Sequence, residues 1–255
     1  DVLAAINTRL KKKENHKTII EDFKSSILRK VPHELLTPLV GILGFSELMT
    51  TDIDSYSRDE LKEMAGKIQF SGERLLRRIK KILQFLELSL KADSIQIDSL
   101  EREEEYSINP EYIRLLLTEK LKDAERLDDL QINLAAADLK ISSFYFELTI
   151  NELIENAVKF SNKGKPIILE GCTSNKYYVI SVRDFGLGMN DTNIEHISVF
   201  GLKNSELENI EGLGVGLAIV KSVAEVFNGY MRIDNRLEEG TLIQLGLPIK
   251  NKKSN

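Results

Sequence analysis

The chain has 255 residues, 42% hydrophobic and 29% charged, with a formal net charge of -5. That balance belongs to folded domains rather than to a disordered chain, and no basic, aromatic-rich surface marks a nucleic-acid partner. No apolar run approaches the roughly 20 residues needed to span a bilayer. The single cysteine, Cys172, can make neither an internal disulfide nor a cysteine-rich zinc site, which fits a reducing, cytoplasmic setting.

The opening residues, DVLAAINTRLKKK, carry lysines at 11–13 that read as a solvated helix face. They resemble the last helix of a receiver domain running into a linker. With a start at Asp1 rather than methionine, this leads us to expect an upstream sensor or receiver module outside the chain, with residues 1–16 as its end or a linker.

Two long helices follow. Ile19, Phe23, Ile27, Val31, Leu35, Leu39, Ile42, Phe45 and Met49 recur every three or four positions, one apolar stripe on a helix. Thr50 to Ser57 is polar and reads as the connection. A second stripe runs through Leu61, Met64, Ile68, Leu75, Ile79, Ile82 or Leu83, and Leu86. One hairpin cannot bury both stripes, whereas two hairpins paired about a twofold axis make a four-helix bundle. A homodimer is therefore expected, with this region ending near residue 91 and a charged linker or first edge strand over 92–105.

Beyond the linker the pattern alternates. Residues 109–124, 144–160 and 215–227 predict helices; 166–170, 177–183, 230–235 and 241–247 predict strands. The fold class is α+β: a helical hairpin, then a layered α/β sandwich over 106–250, with a short tail at 251–255.

Three segments of this second half carry ligand-binding chemistry. On the helix Asn151–Phe160, Glu152 and Asn156 share a face, as do Glu155 and Lys159. The Asn156 amide can offer a carbonyl oxygen to a magnesium ion whose other ligands are phosphates, and Lys159 lies one turn on. The same pattern also suits an amphipathic helix with a wet polar face. Arg183-Asp-Phe-Gly-Leu-Gly-Met189 closes a strand, so Asp184 can accept a hydrogen bond from an amino group while Gly186 and Gly188 allow close backbone approach. Gly212, Gly214 and Gly216 open a helix, where N–H groups and the helix dipole favour an anion. The late position of this loop excludes a dinucleotide fold, and no H-R-D segment accompanies it as in protein kinases.

Taken together, these segments resemble the N, G1 and G2 boxes of the GHKL ATP-binding family over roughly residues 106–249. The resemblance implies a Bergerat α/β sandwich that binds ATP and Mg2+. Asn156 would ligate magnesium and Glu152 and Lys159 would flank the phosphates. Asp184 would bind adenine, and Gly186, Gly188, Gly212, Gly214 and Gly216 would shape the lid and its hinges. Residues 190–211 would form that lid. The lid departs from the kinase pattern: Phe200 is followed by Gly201-Leu-Lys203, without the usual pair of phenylalanines about a basic residue.

The chain has three histidines, His16, His33 and His196. His33 lies in Pro32-His-Glu-Leu-Leu-Thr-Pro-Leu39, about 200° around the helix from the core position Val31, so it is expected to face outward. Glu34 is positioned to accept a ring proton, Thr37 is one turn on, and Pro38 cannot donate to the Glu34 carbonyl and should bend the helix. The segment resembles the H box of the HisKA dimerisation and phosphotransfer domain, here residues 17–91. That resemblance to sensor histidine kinases implies His33 as phosphoacceptor and Glu34 as acid/base residue. It implies Thr37 as the residue that orients water for dephosphorylation, and a response-regulator aspartate as the next acceptor. Pro32 stands where serine is usual and Leu36 where arginine is common. The additional proline is expected to loosen the helix and shift the balance of kinase and phosphatase activities. Leu36 could contact the ATP domain or a partner, or be neutral. Two other readings share the nucleotide site: an ATPase of the gyrase, heat-shock or mismatch-repair type, which needs no such histidine, and a nucleotide-gated interaction module without catalysis.

Overall fold

The structure, a computed structural model, describes residues 30–93, 105–186, 188, 215–236 and 239–250. Two compact units are present, and along the helical hairpin the boundary falls between Glu87 and Leu88.

The first unit is a hairpin of α1 (Lys30–Thr51) and the greater part of α2 (Arg58–Asp93), joined by a short 3-10 turn, Ile53–Ser55. Ser57 and Glu60 start α2 with a reciprocal capping box. The Glu60 N–H donates to Ser57 Oγ at 3.3 Å, and the Ser57 N–H donates to Glu60 Oε2 at 2.8 Å. Antiparallel register is visible in three cross-helix contacts: Glu34 meets Arg78, Gly41 meets Ser71, and Lys67 lies over the Phe45 ring. At Gly41 the helices are so close that a Cβ would come within 3.1 Å of Ser71 Oγ.

The helix continues through the buried Pro38. Of the expected stripe residues, Leu39, Ile79, Leu86 and Leu83 (the second of the two candidates at 82 and 83) are exposed in the single chain, alongside Val40 and Leu43. One hairpin buries only the surface between its two helices, so the rest of the apolar stripe stays open. Helix α2 continues through Asp93, two residues into the expected linker. Residues 94–104, the expected first half of the first stripe and the tail 251–255 lie outside the described residues.

The second unit contains β1 (Tyr106–Ser107), α3 (Pro110–Asp123), β2 (Leu130–Leu134), β3 (Asp138–Leu139), α4 (Ser143–Phe160), β4 (Ile167–Ser174) and β5 (Tyr177–Asp184). After these come α5 (Val215–Val226), β6 (Tyr230–Arg236) and β7 (Gly240–Pro248). Asn109 caps α3, its side chain accepting from the Glu111 and Tyr112 N–H groups, with Pro110 in the first helical position. The main sheet has strand order β2-β4-β5-β7-β6, parallel between β2 and β4 and antiparallel elsewhere; β1 and β3 form a separate antiparallel pair.

Alternation along β5 fixes which face is covered. Tyr178, Ile180, Val182 and Asp184 are buried, whereas Arg183 is exposed. Their partners on β7, Leu247, Leu245 and Ile243, are buried too. Against that face pack Ile113, Leu117 and Leu121 of α3, Phe146, Ile150 and Leu153 of α4, and Ile219, Val220 and Val223 of α5. Asp184 thus ends the core-facing row of β5, which turns a carboxylate inward at the strand's end. The expected strands and helices of this half are present. The strand Leu130–Leu134 was not expected; it is held at the sheet edge by parallel pairing with Ile167–Gly171.

Candidate functional site

Helix α4 is amphipathic in an unusual sense: Glu152 is only 4% exposed, among the buried apolar residues Leu153, Ile154 and Ala157. The wet-face alternative therefore fails at this position. A buried carboxylate needs compensation, and part of it comes from α5. A Cβ on Gly216, in the first turn of α5, would lie 2.5 Å from Glu152 Oε2 and 3.5 Å from Asn156 Nδ2. The positive end of α5 consequently faces Glu152, so close that a side chain on Gly216 would force the carboxylate to shift.

Asn156 Nδ2 is buried and has no hydrogen-bond partner in the protein. Such groups are few in native proteins, and an unfilled amide beside a helix N-terminus is a place for a ligand to complete. Lys159 is exposed, its Nζ 4.9 Å from the centroid of the Phe160 ring. Glu155 pairs with Lys120 of α3 at 2.6 Å. Its face of α4 is thus tied to α3, whereas the Glu152 and Asn156 face meets α5.

Asp184 is 6% exposed. Burial pushes its carboxyl above the usual carboxylate value, opposed by hydrogen bonds from the Gly186 and Thr241 N–H groups. The Gly186 N–H donates to Oδ1 at 3.0 Å. A Cβ on Gly186 would fall 1.9 Å from the Phe160 carbonyl, so the turn after β5 packs directly on the end of α4. Gly188 has φ +69, the left-handed region that favours glycine. The structure therefore brings Glu152, Asn156, Asp184, Gly186 and Gly216 into one unit at the joined ends of α4, β5 and α5.

Two supporting residues were missed from the sequence. Thr241 reaches Asp184 only because β7 pairs with β5. Arg126, buried, donates to the Ser161 carbonyl at 2.8 Å, to Ser161 Oγ at 3.0 Å, to the Lys165 carbonyl at 3.1 Å and to the Val158 carbonyl at 3.2 Å, and also pairs with Asp129. It closes the C-terminal end of α4, where carbonyls lack helical donors.

In the first unit Glu34 is half-buried and pairs with Arg78 of α2, and Thr37 is exposed one turn after His33. The His33 backbone is in α1; its side chain lies outside the described residues, as do Gly212, Gly214, the expected lid 190–211 with Phe200 and Lys203, His16 and His196.

Residues 144–251 match the family described as histidine kinase-, DNA gyrase B-, and HSP90-like ATPase, and residues 23–89 match the His Kinase A (phospho-acceptor) domain. With both matches on one chain, it carries the paired phosphoacceptor and ATPase domains of the histidine kinases. The circadian input-output histidine kinase CikA of Synechocystis sp. is 26% identical over 236 residues, covering 89% of this chain and 31% of that protein. Histidine protein kinase DivJ of Caulobacter vibrioides is 25% identical, covering 89% and 37% respectively. The chain thus spans well under half the length of these kinases. In fold it resembles the Acinetobacter baumannii histidine kinase AdeS, with a TM-score of 0.57 at 14% identity over 86% of this chain and 98% of that one. It also resembles full-length ShkA, solved in complex with AMPPNP, with a TM-score of 0.59 at 20% identity over 87% of this chain and 45% of that one. The phosphoacceptor match is what this chain carries in addition to the ATPase domain whose family description also names DNA gyrase B.

The residues present fit a nucleotide. The Asn156 Nδ2 donor lacks an acceptor, which suits a phosphate oxygen; the Asp184 carboxylate is held at a strand end, and at Gly216 a side chain would crowd Glu152. Among the described residues no group of His, Cys, Asp and Glu side chains could hold a metal by itself. The Asn156 carbonyl oxygen would be the one protein ligand to a cation carried by phosphates.

Proposed function

We propose that this histidine kinase phosphorylates His33 from ATP and passes the phosphoryl group to an aspartate of a response regulator, which it also dephosphorylates. The observation that carries the reading is the buried Asn156 Nδ2 without a hydrogen-bond partner, on the helix face that buried Glu152 shares and that Gly216 approaches; His33 and Glu34 are neighbours in the sequence of the other unit.

Bound ATP and Mg2+ supply the transferable γ-phosphoryl group and neutralise its charge. Asp184 would accept a hydrogen bond from the adenine amino group, and Asn156 would offer its carbonyl oxygen to magnesium. Glu152 and Lys159 flank the phosphates, while Gly186, Gly188, Gly212, Gly214 and Gly216 let the backbone approach. A neutral ring nitrogen of His33 attacks the γ-phosphorus as the bond to the ADP oxygen breaks, and the proton lost from the ring goes to Glu34. Thr37 orients the water that attacks the phosphoaspartate of the regulator.

A homodimer is part of this reading. Leu36, Val40 and Leu43 on α1 and Phe70, Leu76 and Leu83 on α2 are more than half exposed in the single chain, an apolar surface beyond what an isolated hairpin ordinarily leaves to water. A second hairpin covers it as a four-helix bundle. No described helix is long and apolar enough to cross a membrane.

Incubation of the purified chain with magnesium and γ-labelled ATP, beside His33→Gln and Asn156→Ala, tests the proposal. Acid-labile, base-stable label that is lost in both variants is expected. Phosphate release without protein label overturns the kinase reading in favour of an ATPase. ATP binding with neither outcome leaves the chain a nucleotide-gated module.

A further inference from the structure

Pro38 lies inside α1, so the Glu34 carbonyl four residues earlier receives no helical N–H. A carbonyl orphaned next to a buried proline costs stability unless another donor reaches it. The donor is Arg78, from the opposite helix: its Nη1 donates to the Glu34 carbonyl oxygen. The other arm of the same guanidinium, Nη2, lies 2.7 Å from Glu34 Oε2. That carboxylate oxygen is shielded from solvent, and the pair neutralises its charge although the alignment falls short of a full hydrogen bond. Arg78 itself is 8% exposed.

We infer that Arg78 is the positioning residue for Glu34: one planar guanidinium fixes both the backbone and the carboxylate of the residue beside the phosphoacceptor. The inference rests on the reading of His33 and Glu34 given above and deepens it. Proline frees the carbonyl, and the carbonyl gives the guanidinium a second anchor 44 residues away in sequence. With both arms engaged, the carboxylate is held in one orientation relative to the helix that carries His33. Arginine suits the task because its donors form a rigid fork, whereas a lysine ammonium is a point charge that cannot span both acceptors in fixed geometry. Arg78 acts through Glu34 rather than on the nucleotide.

The test is autophosphorylation of the full chain with γ-labelled ATP for wild type, Arg78→Lys, Arg78→Met, Glu34→Gln and the Glu34→Gln/Arg78→Met double variant. Circular dichroism and sedimentation confirm that each folds and assembles. Arg78→Met is expected to lower kcat about tenfold with KM for ATP within about twofold of wild type, and Arg78→Lys to recover part of the loss. In the Glu34→Gln background Arg78→Met should cost no more than a further factor of about two, since the group it positions has lost its role. Losses that multiply in the double variant, or a kcat for folded Arg78→Met within twofold of wild type, overturn the inference. Should Arg78→Met not fold, the same comparison with Arg78→Lys decides. A wild type that folds, binds ATP and takes up no label overturns the kinase reading and this inference with it; a labelled wild type with unaffected Arg78 variants overturns the inference alone.

Discussion

Gly216 and Glu152 approach so closely that a Cβ on the glycine would lie 2.5 Å from the carboxylate oxygen. Glu152 is buried among Leu153 and Ile154 and has little room to give way. Gly216→Ala should therefore displace the first turn of α5 from α4 and weaken binding of a fluorescent ATP analogue about tenfold, roughly 1.4 kcal/mol. The circular dichroism spectrum should be unchanged. Undiminished affinity would mean that α5 does not contribute to the nucleotide site.

Asp184 gives a prediction in which stability and binding part company. Burial raises its carboxyl above the usual value in the folded protein. The folded state then binds this proton more tightly than the unfolded chain does. Stability from this group is full below the ordinary carboxylate value, about pH 4, and is lost as pH climbs through the raised value. Asp184→Asn has no such ionisation. Without nucleotide it should melt at or above the wild-type temperature near neutral pH, and the difference should close in acid. The same variant should bind ATP at least about tenfold more weakly, the loss of a hydrogen bond to a charged acceptor. Thermal scans with and without nucleotide at several pH values check both halves.

Arg126 holds the far end of α4. Arg126→Met leaves the Ser161 and Lys165 carbonyls without their buried donor and should cost roughly 3 kcal/mol in denaturant unfolding at neutral pH. The pH dependence has its own sign. The Arg126 hydrogen bond, with the Gly164 N–H, holds Asp129 below the usual carboxylate range. That contribution is present above the ordinary value and is lost as pH falls through the lowered one. The destabilisation by Arg126→Met should therefore shrink in acid; a pH-independent difference would assign the effect to packing alone.

Most of the second unit was legible from local pattern: Tyr177–Val182 is a short run rich in aromatic and β-branched residues, and Ile150, Leu153, Ile154 and Ala157 repeat as a helix stripe. The strand Leu130–Leu134 escaped notice because five residues leading into Ala135-Ala-Ala-Asp138 offer no turn signal, and its partner lies across a helix in sequence. Glu152, Asn156 and Asp184 were legible as residue types at a spacing. Thr241 was not, since its meeting with Asp184 depends on how β7 aligns with β5. Arg78 belongs to no motif and was not singled out in the sequence. The signal was its phase: it falls between Leu75 and Ile82 on the apolar stripe, where an arginine needs a partner, and Pro38 on the other helix leaves a carbonyl that needs a donor.

Leu43, 60% exposed in the single chain, probes assembly. Leu43→Glu places a charge on the apolar face that a second hairpin would cover, and should shift sedimentation of the chain from dimer towards monomer at micromolar concentration while ATP-analogue affinity stays within about twofold. A dimer unaffected by this change would put the pairing surface elsewhere on the hairpin.

Helix α4 is also part of the crossover that joins the one parallel pair of strands in the main sheet, β2 and β4. Its far end is moored to the sheet edge through Arg126, and its chain leads straight into β4. The helix bearing Glu152 and Asn156 therefore behaves as a beam fixed to its frame, not as an arm free to swing. Any rearrangement that accompanies filling or emptying of the site falls on α5, which leans on that beam through the bare backbone of Gly216.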